Sequence, residues 1–343
     1  MTHAKAKEFF ENFIGESCLT FYPLPQSGSA RRNFVGKTRN QKYIITYNEN
    51  IRENQSFFYF SQVFSNLSIN APEILYVSED EKLYVQESVG NETLSEIIAN
   101  EGLTGRVKTL VKKTLRELAG AQLKTFDCID YSKTFEYEKY DELPVTSDLY
   151  YFKNFIADVL ELPYHKQSLL SDFKKLTDLI ASLQPAGLMM RDFQARNIMV
   201  NEEDEIYFID YQSAIRGPLM YDVISFLYQA KANFPKEFKK EMMAYYLSHW
   251  NTDSAAQLSG WVEYIQLIRY LQVLGAYGFR GLIQRKKHFL ESLEKGIQNI
   301  FEFSKEWEGM TDFPELAKLI MTLHSSLGQN RIENIINTKK EIQ

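Results

Sequence analysis

Hydrophobic residues in the first quarter of the chain occur in short runs that are typical of β-strands. Residues 43–47 read Tyr-Ile-Ile-Thr-Tyr and residues 83–85 read Leu-Tyr-Val, both rich in β-branched and aromatic side chains. Between them, apolar residues from Phe57 to Phe64 recur at nearly helical spacing. The pattern predicts short strands and one helix between Phe21 and about Tyr84.

From Leu94 onward, the apolar residues recur every three or four positions, which is the spacing of one helical face. Examples are Val107, Val111, Leu115 and Leu118, and later Phe238, Met242 and Tyr245. The chain is therefore predicted to have strands first and helices afterwards. At 343 residues, two packed lobes are expected, because single cores stop growing at about 250–300 residues.

One short segment interrupts the helical half. Residues 197–200 and 206–209 are apolar runs, and the polar residues 201–205 between them have the composition of a hairpin turn. A polar loop, residues 191–196, precedes the predicted hairpin. The hairpin is expected to bring together three polar residues at its edges: Asp192, Asn197 and Asp210.

This set of residues can carry out phosphoryl transfer. One carboxylate, Asp192, would orient or deprotonate the acceptor hydroxyl, and we include the neighbouring Arg196 in the catalytic set. An amide oxygen from Asn197 and a carboxylate from Asp210 would hold Mg²⁺ against the nucleotide phosphates. Oxygen ligands with no histidine or cysteine nearby favour magnesium over zinc or copper.

A simpler interpretation is that these residues only cap turns, as aspartate and asparagine often do. Three features favour the catalytic interpretation. Arg191 and Arg196 flank the loop, apolar runs resume at once on both sides, and Asp222 adds a third acidic position after a Gly-Pro turn.

The composition limits the other possibilities. Hydrophobic residues make up 44% of the chain and charged residues 24%, as in a globular protein. A net charge of −6 argues against broad attraction to nucleic acid, but it allows a local phosphate site. The two cysteines support neither a disulfide scaffold nor structural zinc. Without an 18-residue apolar stretch, we expect a soluble cytoplasmic protein with no membrane partner, and no feature indicates an obligate protein partner.

Three motifs give the chain a family resemblance. They read R-D-F-x-x-R-N at residues 191–197, I-D-Y-Q at residues 209–212 and R-G-P-x-x-Y-D at residues 216–222. In these motifs the sequence resembles the aminoglycoside-phosphotransferase-like kinases, a branch of the protein-kinase-like fold. Within that branch it is most similar to the kinases that make the 1-phosphates of N-acetylmuramate and N-acetylglucosamine. The resemblance extends from about Leu24 to Phe301.

The resemblance implies an α+β, two-lobed protein-kinase-like fold with a small strand-rich N-terminal lobe and a large helical C-terminal lobe. Residues 1–88 would form the nucleotide-binding lobe, and residues 89–343 would carry the catalytic loop and the acceptor site. ATP would lie between the lobes, with its adenine held by backbone groups from Glu87 to Val89. The loop over the phosphates would span Gln26 to Asn33. That loop contains Gly28, Ser29, Arg31 and Arg32.

The sequence departs from the family pattern at two positions. Met190 replaces the histidine that usually precedes the arginine and aspartate of the catalytic loop. The third strand, residues 44–47, lacks the lysine that would hold the α and β phosphates. We expect Arg31 or Arg32 to substitute for that lysine, with Arg32 preferred, because a guanidinium can hold phosphate oxygens in a bidentate way.

Acceptor recognition is expected in the helical lobe. Arg269 and Gln272 are three residues apart, so one helical face can present both to a sugar. Asp222 is included in the predicted substrate set.

The sequence thus predicts a phosphotransferase that uses ATP and Mg²⁺ on a small-molecule alcohol, with the anomeric hydroxyl of an N-acetylated amino sugar as the expected acceptor. Alternatives are an aminoglycoside, homoserine or choline kinase of the same fold. Aminoglycosides are disfavoured, because they are polycations and the region from Arg269 to Arg280 is neutral to basic. A catalytically silent nucleotide-binding regulator is a further alternative, which retention of the three polar hairpin residues disfavours. The acceptor, the hydroxyl attacked and the choice between ATP and GTP stay open.

Overall fold

The computed structural model describes residues 2–25, 30–229 and 232–338. The strands are β1 (Thr20–Pro23), β2 (Arg32–Lys37), β3 (Lys42–Tyr47), β4 (Ile74–Val77), β5 (Leu83–Glu87), β6 (Glu92–Thr93), β7 (Ala186–Met189), β8 (Ile198–Val200), β9 (Ile206–Phe208) and β10 (Ile215–Pro218). The helices are α1 (His3–Ile14), α2 (Ile51–Asn66), α3 (Leu94–Glu101), α4 (Gly105–Lys124), α5 (Glu142–Phe152), α6 (Lys166–Ala181), α7 (Met220–Leu227), α8 (Lys236–Leu247), α9 (Thr252–Gly260), α10 (Val262–Tyr277), α11 (Lys287–Glu306), α12 (Pro314–His324) and α13 (Ser326–Thr338).

The predicted order of strands followed by helices is confirmed from β1 onward, but helix α1 precedes the strands, and β7 and β10 in the helical half were not predicted. The strand predicted at residues 43–47 is β3, the one at residues 83–85 is β5, and the helix predicted at residues 57–64 lies within α2. Helices predominate after Leu94, and the predicted hairpin is formed by β8 and β9.

The chain divides into two compact units. The first contains Met1–Glu138, Gly187–Arg216 and Lys236–His249. The second contains Lys139–Ala186, Gly217–Pro235 and Trp250–Gln343. The lobe boundary at residue 88 stays a prediction.

A five-stranded antiparallel sheet in the order β1-β2-β3-β5-β4 forms the core of the first unit. Helix α1 covers one face of this sheet. Its Ala6 and Phe10 are fully buried against Phe34, Ile45 and Val85. The helix begins at Thr2, whose side chain accepts a hydrogen bond from the Lys5 N–H, and it ends at Gly15 with a φ of 71°.

The catalytic-loop hairpin belongs to the same unit. Its strands pair with Ile198 opposite Phe208 and Val200 opposite Ile206. The turn is held by the Asn201 side chain, which accepts hydrogen bonds from the N–H groups of Glu203 and Glu205. β6 adds a third strand beside β8. The hairpin is thus fixed by its own turn and by a neighbouring strand.

Helices make up most of the second unit. Helix α10 packs against α5, α7 and α11, and α12 packs against α6 and α11. Buried Asp172 of α6 accepts hydrogen bonds from the N–H groups of Glu315 and Leu316 at the start of α12. Burial raises the pKa of Asp172 above its usual range, although these hydrogen bonds oppose the shift. No helix in the described parts of the chain combines the length and apolar composition needed to span a bilayer.

A close contact between β2 and α1 gives a test of the packing. A Cβ at Gly36 would lie 2.3 Å from Cε1 of Phe10, a side chain with no exposed surface and no room to move. We expect Gly36→Ala to lower the free energy of unfolding by about 1–3 kcal/mol. Chemical denaturation measures this change.

Gly120 in the interior of α4 provides the control. A Cβ there would meet nothing within 4 Å, so Gly120→Ala should be neutral or stabilise the protein by about 0.5–1 kcal/mol. If Gly36→Ala were as stable as Gly120→Ala, α1 would not pack on the sheet as described.

Candidate active site

Asp192 lies in the loop that joins β7 to the catalytic hairpin. Arg191 before it has a φ of 66°, a conformation that is costly for a residue other than glycine. The Asp192 N–H donates to the Met190 carbonyl at 2.8 Å. Gln194 Nε2 donates to Asp192 Oδ1 at 2.9 Å, and Arg196 donates to Oδ2 at 2.7 Å. The carboxylate is thus oriented from both sides, and its side chain is still 35% exposed.

Asn197 follows this loop directly and is buried. Its Nδ2 donates to the main-chain carbonyl of Asp192 at 2.8 Å, and its own carbonyl accepts from the Ile209 N–H at 3.1 Å. Because a carbonyl can only accept, the first contact fixes the amide with its nitrogen toward Asp192. The hairpin therefore places Asn197 beside the residue that precedes Asp210, as the sequence predicted.

Asp210 follows β9 with a φ of 64°, a second strained position in the same site. Its Oδ1 accepts hydrogen bonds from the Arg31 guanidinium and, at 3.2 Å, from Gln212 Nε2. Non-glycine residues with positive φ persist where the surrounding contacts hold them, and such residues cluster at functional sites.

Arg31 joins two carboxylates of the first unit. It contacts Asp210, and its Nε lies 3.5 Å from Oε1 of Glu53 in the first turn of α2. Glu53 is also held by Asn48, whose Nδ2 donates to its Oε2 at 2.9 Å. Burial alone would lower the pKa of Arg31, but the charges of Asp210 and Glu53 outweigh that effect and raise the pKa above its ordinary value. Arg31 is therefore a fixed positive charge beside Asp210.

Thr46 lies on β3 in the segment where the family lysine was expected. It is buried, and it contacts neutral groups of the described residues: Oγ1 donates to Asn33 Oδ1 at 2.9 Å, and Gln86 Nε2 donates to Oγ1 at 3.3 Å. Burial raises the pKa of the neighbouring Tyr84 to about 12, so its hydroxyl is neutral. Arg31 supplies the positive charge next to this neutral network.

The alternation of side chains along a strand explains why Arg31 rather than Arg32 contacts Asp210. Successive side chains of a strand point to opposite faces. Arg32 shares its parity with Phe34, which packs beneath α1, and Arg32 itself is exposed. Arg31 shares its parity with Asn33, the partner of Thr46. The substituting role remains a prediction for both arginines, and the contacts favour Arg31.

Other residues predicted for the nucleotide have different outcomes. Gly28 and Ser29 lie outside the described residues. Glu87 ends β5, and its N–H donates to the Glu73 carbonyl at 2.9 Å, so that group is already used in the sheet. Val89 is buried. Adenine binding by Glu87 to Val89 remains a prediction.

In the second unit, two of the predicted acceptor residues, Arg269 and Gln272, contact each other, and Arg269 is buried. Arg269 and Gln272 share one face of α10, and Arg269 donates to the Gln272 amide oxygen and, at 3.3 Å, to the Tyr221 hydroxyl. The Arg269 guanidinium also lies 5.1 Å from the centre of the Tyr221 ring. Asp222 has no exposed surface. The shared face is confirmed, and the substrate role of these residues stays a prediction.

Sequence reasoning missed three contributors to the site. Glu136 lies 55 positions before Arg191 and accepts from its guanidinium at 3.0 Å, a contact that no local pattern signals. Gln194 and Gln212 each donate to an aspartate two residues earlier. The spacing of these pairs was visible in the sequence, but an amide two residues after an aspartate is too common to indicate a role.

Known proteins with similar sequences are phosphotransferases. The profile of the phosphotransferase enzyme family, APH, matches residues 21–258. A relative from Neisseria meningitidis serogroup B, described as N-acetylmuramate/N-acetylglucosamine kinase, is 24% identical over 280 residues, which cover 77% of this chain and 78% of that protein.

Solved structures show the same fold. Ethanolamine kinase from Plasmodium vivax aligns with a TM-score of 0.62 at 14% identity, covering 84% of this chain and 83% of that one. The aminoglycoside phosphotransferase APH(2″)-IIa, in a ternary complex with streptomycin and ATP, aligns with a TM-score of 0.59 at 16% identity, covering 85% and 97%.

These likenesses confirm the predicted α+β, two-lobed protein-kinase-like fold. The family match covers more than half of the chain and includes the catalytic loop and the hairpin. The chain belongs to the phosphotransferase enzyme family and is a small-molecule kinase whose phosphoryl acceptor is an alcohol.

Proposed function

We propose that this kinase uses ATP and Mg²⁺ to phosphorylate the anomeric hydroxyl of an N-acetylated amino sugar, of the N-acetylmuramate and N-acetylglucosamine type. The observation that carries the proposal is the joint placement of Asp192, Asn197 and Asp210 around one hairpin, with Arg31 on Asp210. These are the groups needed to orient a hydroxyl, bind a metal and neutralise phosphate charge.

The residues present fit a magnesium ion. The described parts of the chain contain no group of three or more His, Cys, Asp or Glu that could enclose a metal. Asn197 and Asp210 instead offer an amide oxygen and a carboxylate, and Mg²⁺ is usually held by one or two carboxylates together with water and substrate phosphates. When bound, the ion would neutralise charge on the phosphate oxygens.

Asp192 orients the acceptor hydroxyl and accepts its proton. Gln194 and Arg196 hold the carboxylate in place from opposite oxygens, so its direction is set before an acceptor arrives. The main-chain contact between Asp192 and Asn197 ties this base to the metal-binding amide.

Arg31 takes the phosphate-neutralising role that the missing lysine would have. Its guanidinium has five N–H donors, so it can contact Asp210, Glu53 and a phosphate oxygen at once. A silent nucleotide-binding regulator would also need a cation for the phosphates, but it would have no need of an oriented Asp192, which disfavours that alternative.

The acceptor class rests on two observations. The Neisseria relative is described as an amino-sugar kinase. The candidate acceptor helix also carries Arg269, whose guanidinium stacks on Tyr221. A fixed cation disfavours the positively charged acceptors of aminoglycoside, choline and ethanolamine kinases, and it favours a neutral or anionic sugar. We further propose that the reaction occurs in the cytoplasm, where ATP is available, as a step in cell-wall sugar recycling.

A direct assay tests the acceptor class. Purified protein should be incubated with ATP and Mg²⁺ and with separate pools of N-acetylated amino sugars, aminoglycosides and amino alcohols. We expect mass spectrometry to find one added phosphoryl group only in the amino-sugar pool, with an acid-labile linkage typical of an anomeric phosphate. EDTA should abolish the product. Phosphorylation confined to another pool would refute the sugar assignment.

Changes to the two aspartates test the chemistry. We expect Asp192→Asn to lower kcat by about 10²–10⁴-fold, because the base is lost. Asp210→Asn should lower turnover and raise the Mg²⁺ concentration required for it. Both variants should keep the wild-type Tm within a few degrees.

The matched control is Asp178→Asn on α6. Asp178 is exposed and, among the residues that the structure describes, pairs only with Lys174 four residues earlier, so its loss should leave turnover unchanged. Wild-type turnover in Asp192→Asn would contradict the assigned role.

The two adjacent arginines form a matched pair. We expect Arg31→Ala to raise the KM for ATP by about 10–100-fold, the loss expected for a hydrogen bond to a charged group. Arg32→Ala, at an exposed position of opposite parity, should change that KM by less than about threefold. The acceptor KM should change little in either variant. A larger effect at Arg32 would return the role to the residue preferred from the sequence.

A further inference from the structure

The Gln212 side chain contacts the proposed metal-binding carboxylate of Asp210, but the proposed mechanism gives this amide no role. Gln212 is 5% exposed. Its Nε2 donates to Asp210 Oδ1 at 3.2 Å, and its Oε1 is buried with no hydrogen-bond partner among the described residues. A buried carbonyl without a donor costs free energy, so its retention needs an explanation.

Turning the amide around would not remove this cost. The atom that Gln212 faces is Oδ1 of Asp210, a carboxylate oxygen that also accepts a hydrogen bond from Arg31. A reversed amide would set Oε1 against that oxygen and leave the nitrogen in the unpaired position. The chemistry of Asp210 therefore fixes the orientation of the Gln212 amide.

Packing of the segment does not require the amide either. The Gln212 main-chain carbonyl accepts from Ser56 Oγ at 2.8 Å. The preceding residue, Tyr211, is fully buried, exchanges a hydrogen bond with Ser61 at 2.8 Å and stacks on Phe57 at 4.9 Å. These three residues of α2 already anchor the backbone, so the side chain of Gln212 is left to act on Asp210.

We propose that Gln212 is a positioning residue for the metal-binding carboxylate of Asp210, an inference that rests on the proposed function. Its Nε2 and Arg31 both contact Oδ1, which sets the plane of the carboxylate and leaves Oδ2 as the oxygen offered to Mg²⁺. A neutral donor is suited to this task, because it orients the carboxylate without cancelling the charge that attracts the metal. Gln212 keeps this orientation when Arg31 also engages a phosphate.

The variant that separates positioning from packing is Gln212→Met, which keeps the volume and removes both polar atoms. Loss of the unpaired Oε1 offsets loss of the contact to Asp210, so we expect the Tm to be unchanged or higher. The Kd for Mg²⁺, measured by calorimetry on the full chain with ADP bound, should rise by about 10–100-fold. The KM for the acceptor should not change.

Gln122→Met is the matched control. Gln122 is also buried, but both ends of its amide are paired: Nε2 donates to the Leu188 carbonyl at 3.2 Å, and Oε1 accepts from the Tyr246 hydroxyl at 2.6 Å. We expect this variant to lower the Tm and to leave the Kd for Mg²⁺ at the wild-type value. Gln212→Met should thus change the Kd for Mg²⁺ without lowering the Tm, and Gln122→Met should lower the Tm without changing that Kd.

Two results would overturn the inference. One is a wild-type Kd for Mg²⁺ in Gln212→Met, and the other is a drop in Tm like that of the control, which would mark a structural role. Neither affects the proposed function, which fails instead if the wild-type protein shows no magnesium-dependent phosphoryl transfer.

Discussion

The contact between Arg31 and Asp210 is the interaction on which the rest of the site depends. It joins the residue that directly precedes β2 to one that lies 179 positions later, after the β8–β9 hairpin. The same guanidinium lies beside Glu53 on α2, so sheet, helix and hairpin meet at one positive charge. Burial and the two carboxylates act against each other on this group, and its raised pKa shows that the carboxylates prevail.

Around that charge, neutral amides do most of the orienting. Gln194 donates a hydrogen bond to the Asp192 carboxylate, and Gln212 donates one to the Asp210 carboxylate. The Asn197 amide donates to the main-chain carbonyl of Asp192. An amide directs a carboxylate without adding a charge of its own, which suits the proposed base and the proposed metal ligand. Positive φ angles at Arg191 and Asp210 show that the backbone is held in costly conformations at these points. Glu136 and Arg31 supply the ionic contacts that stabilise this arrangement.

Sequence patterns predicted the fold order and the hairpin, because both depend on local periodicity. The apolar runs at residues 197–200 and 206–209 became β8 and β9, and the polar turn fixed their register. To choose between Arg31 and Arg32, the first residue of β2 must be known to within one position, and composition does not give that precision. Side-chain parity then separates the two arginines. The likeness to the phosphotransferase family supplied the roles that spacing alone could not.

Contacts between residues far apart in the sequence could not be predicted from the pattern of hydrophobic and polar positions. Glu136 reaches Arg191 only because the segment before α5 lies against the catalytic loop, and nothing near either residue encodes that approach. The burial of Asp222 was equally hidden, since an aspartate after a Gly-Pro turn reads as exposed.

A crystal structure with Mg²⁺ and a non-hydrolysable ATP analogue would test these roles together. We expect a metal ion coordinated by Asn197 Oδ1 and by Oδ2 of Asp210, with the Arg31 guanidinium against a phosphate and the Gln212 amide still on Oδ1. A metal bound away from Asp210, or a phosphate held by Arg32 with Arg31 uninvolved, would contradict the assignment of Arg31 and Asp210.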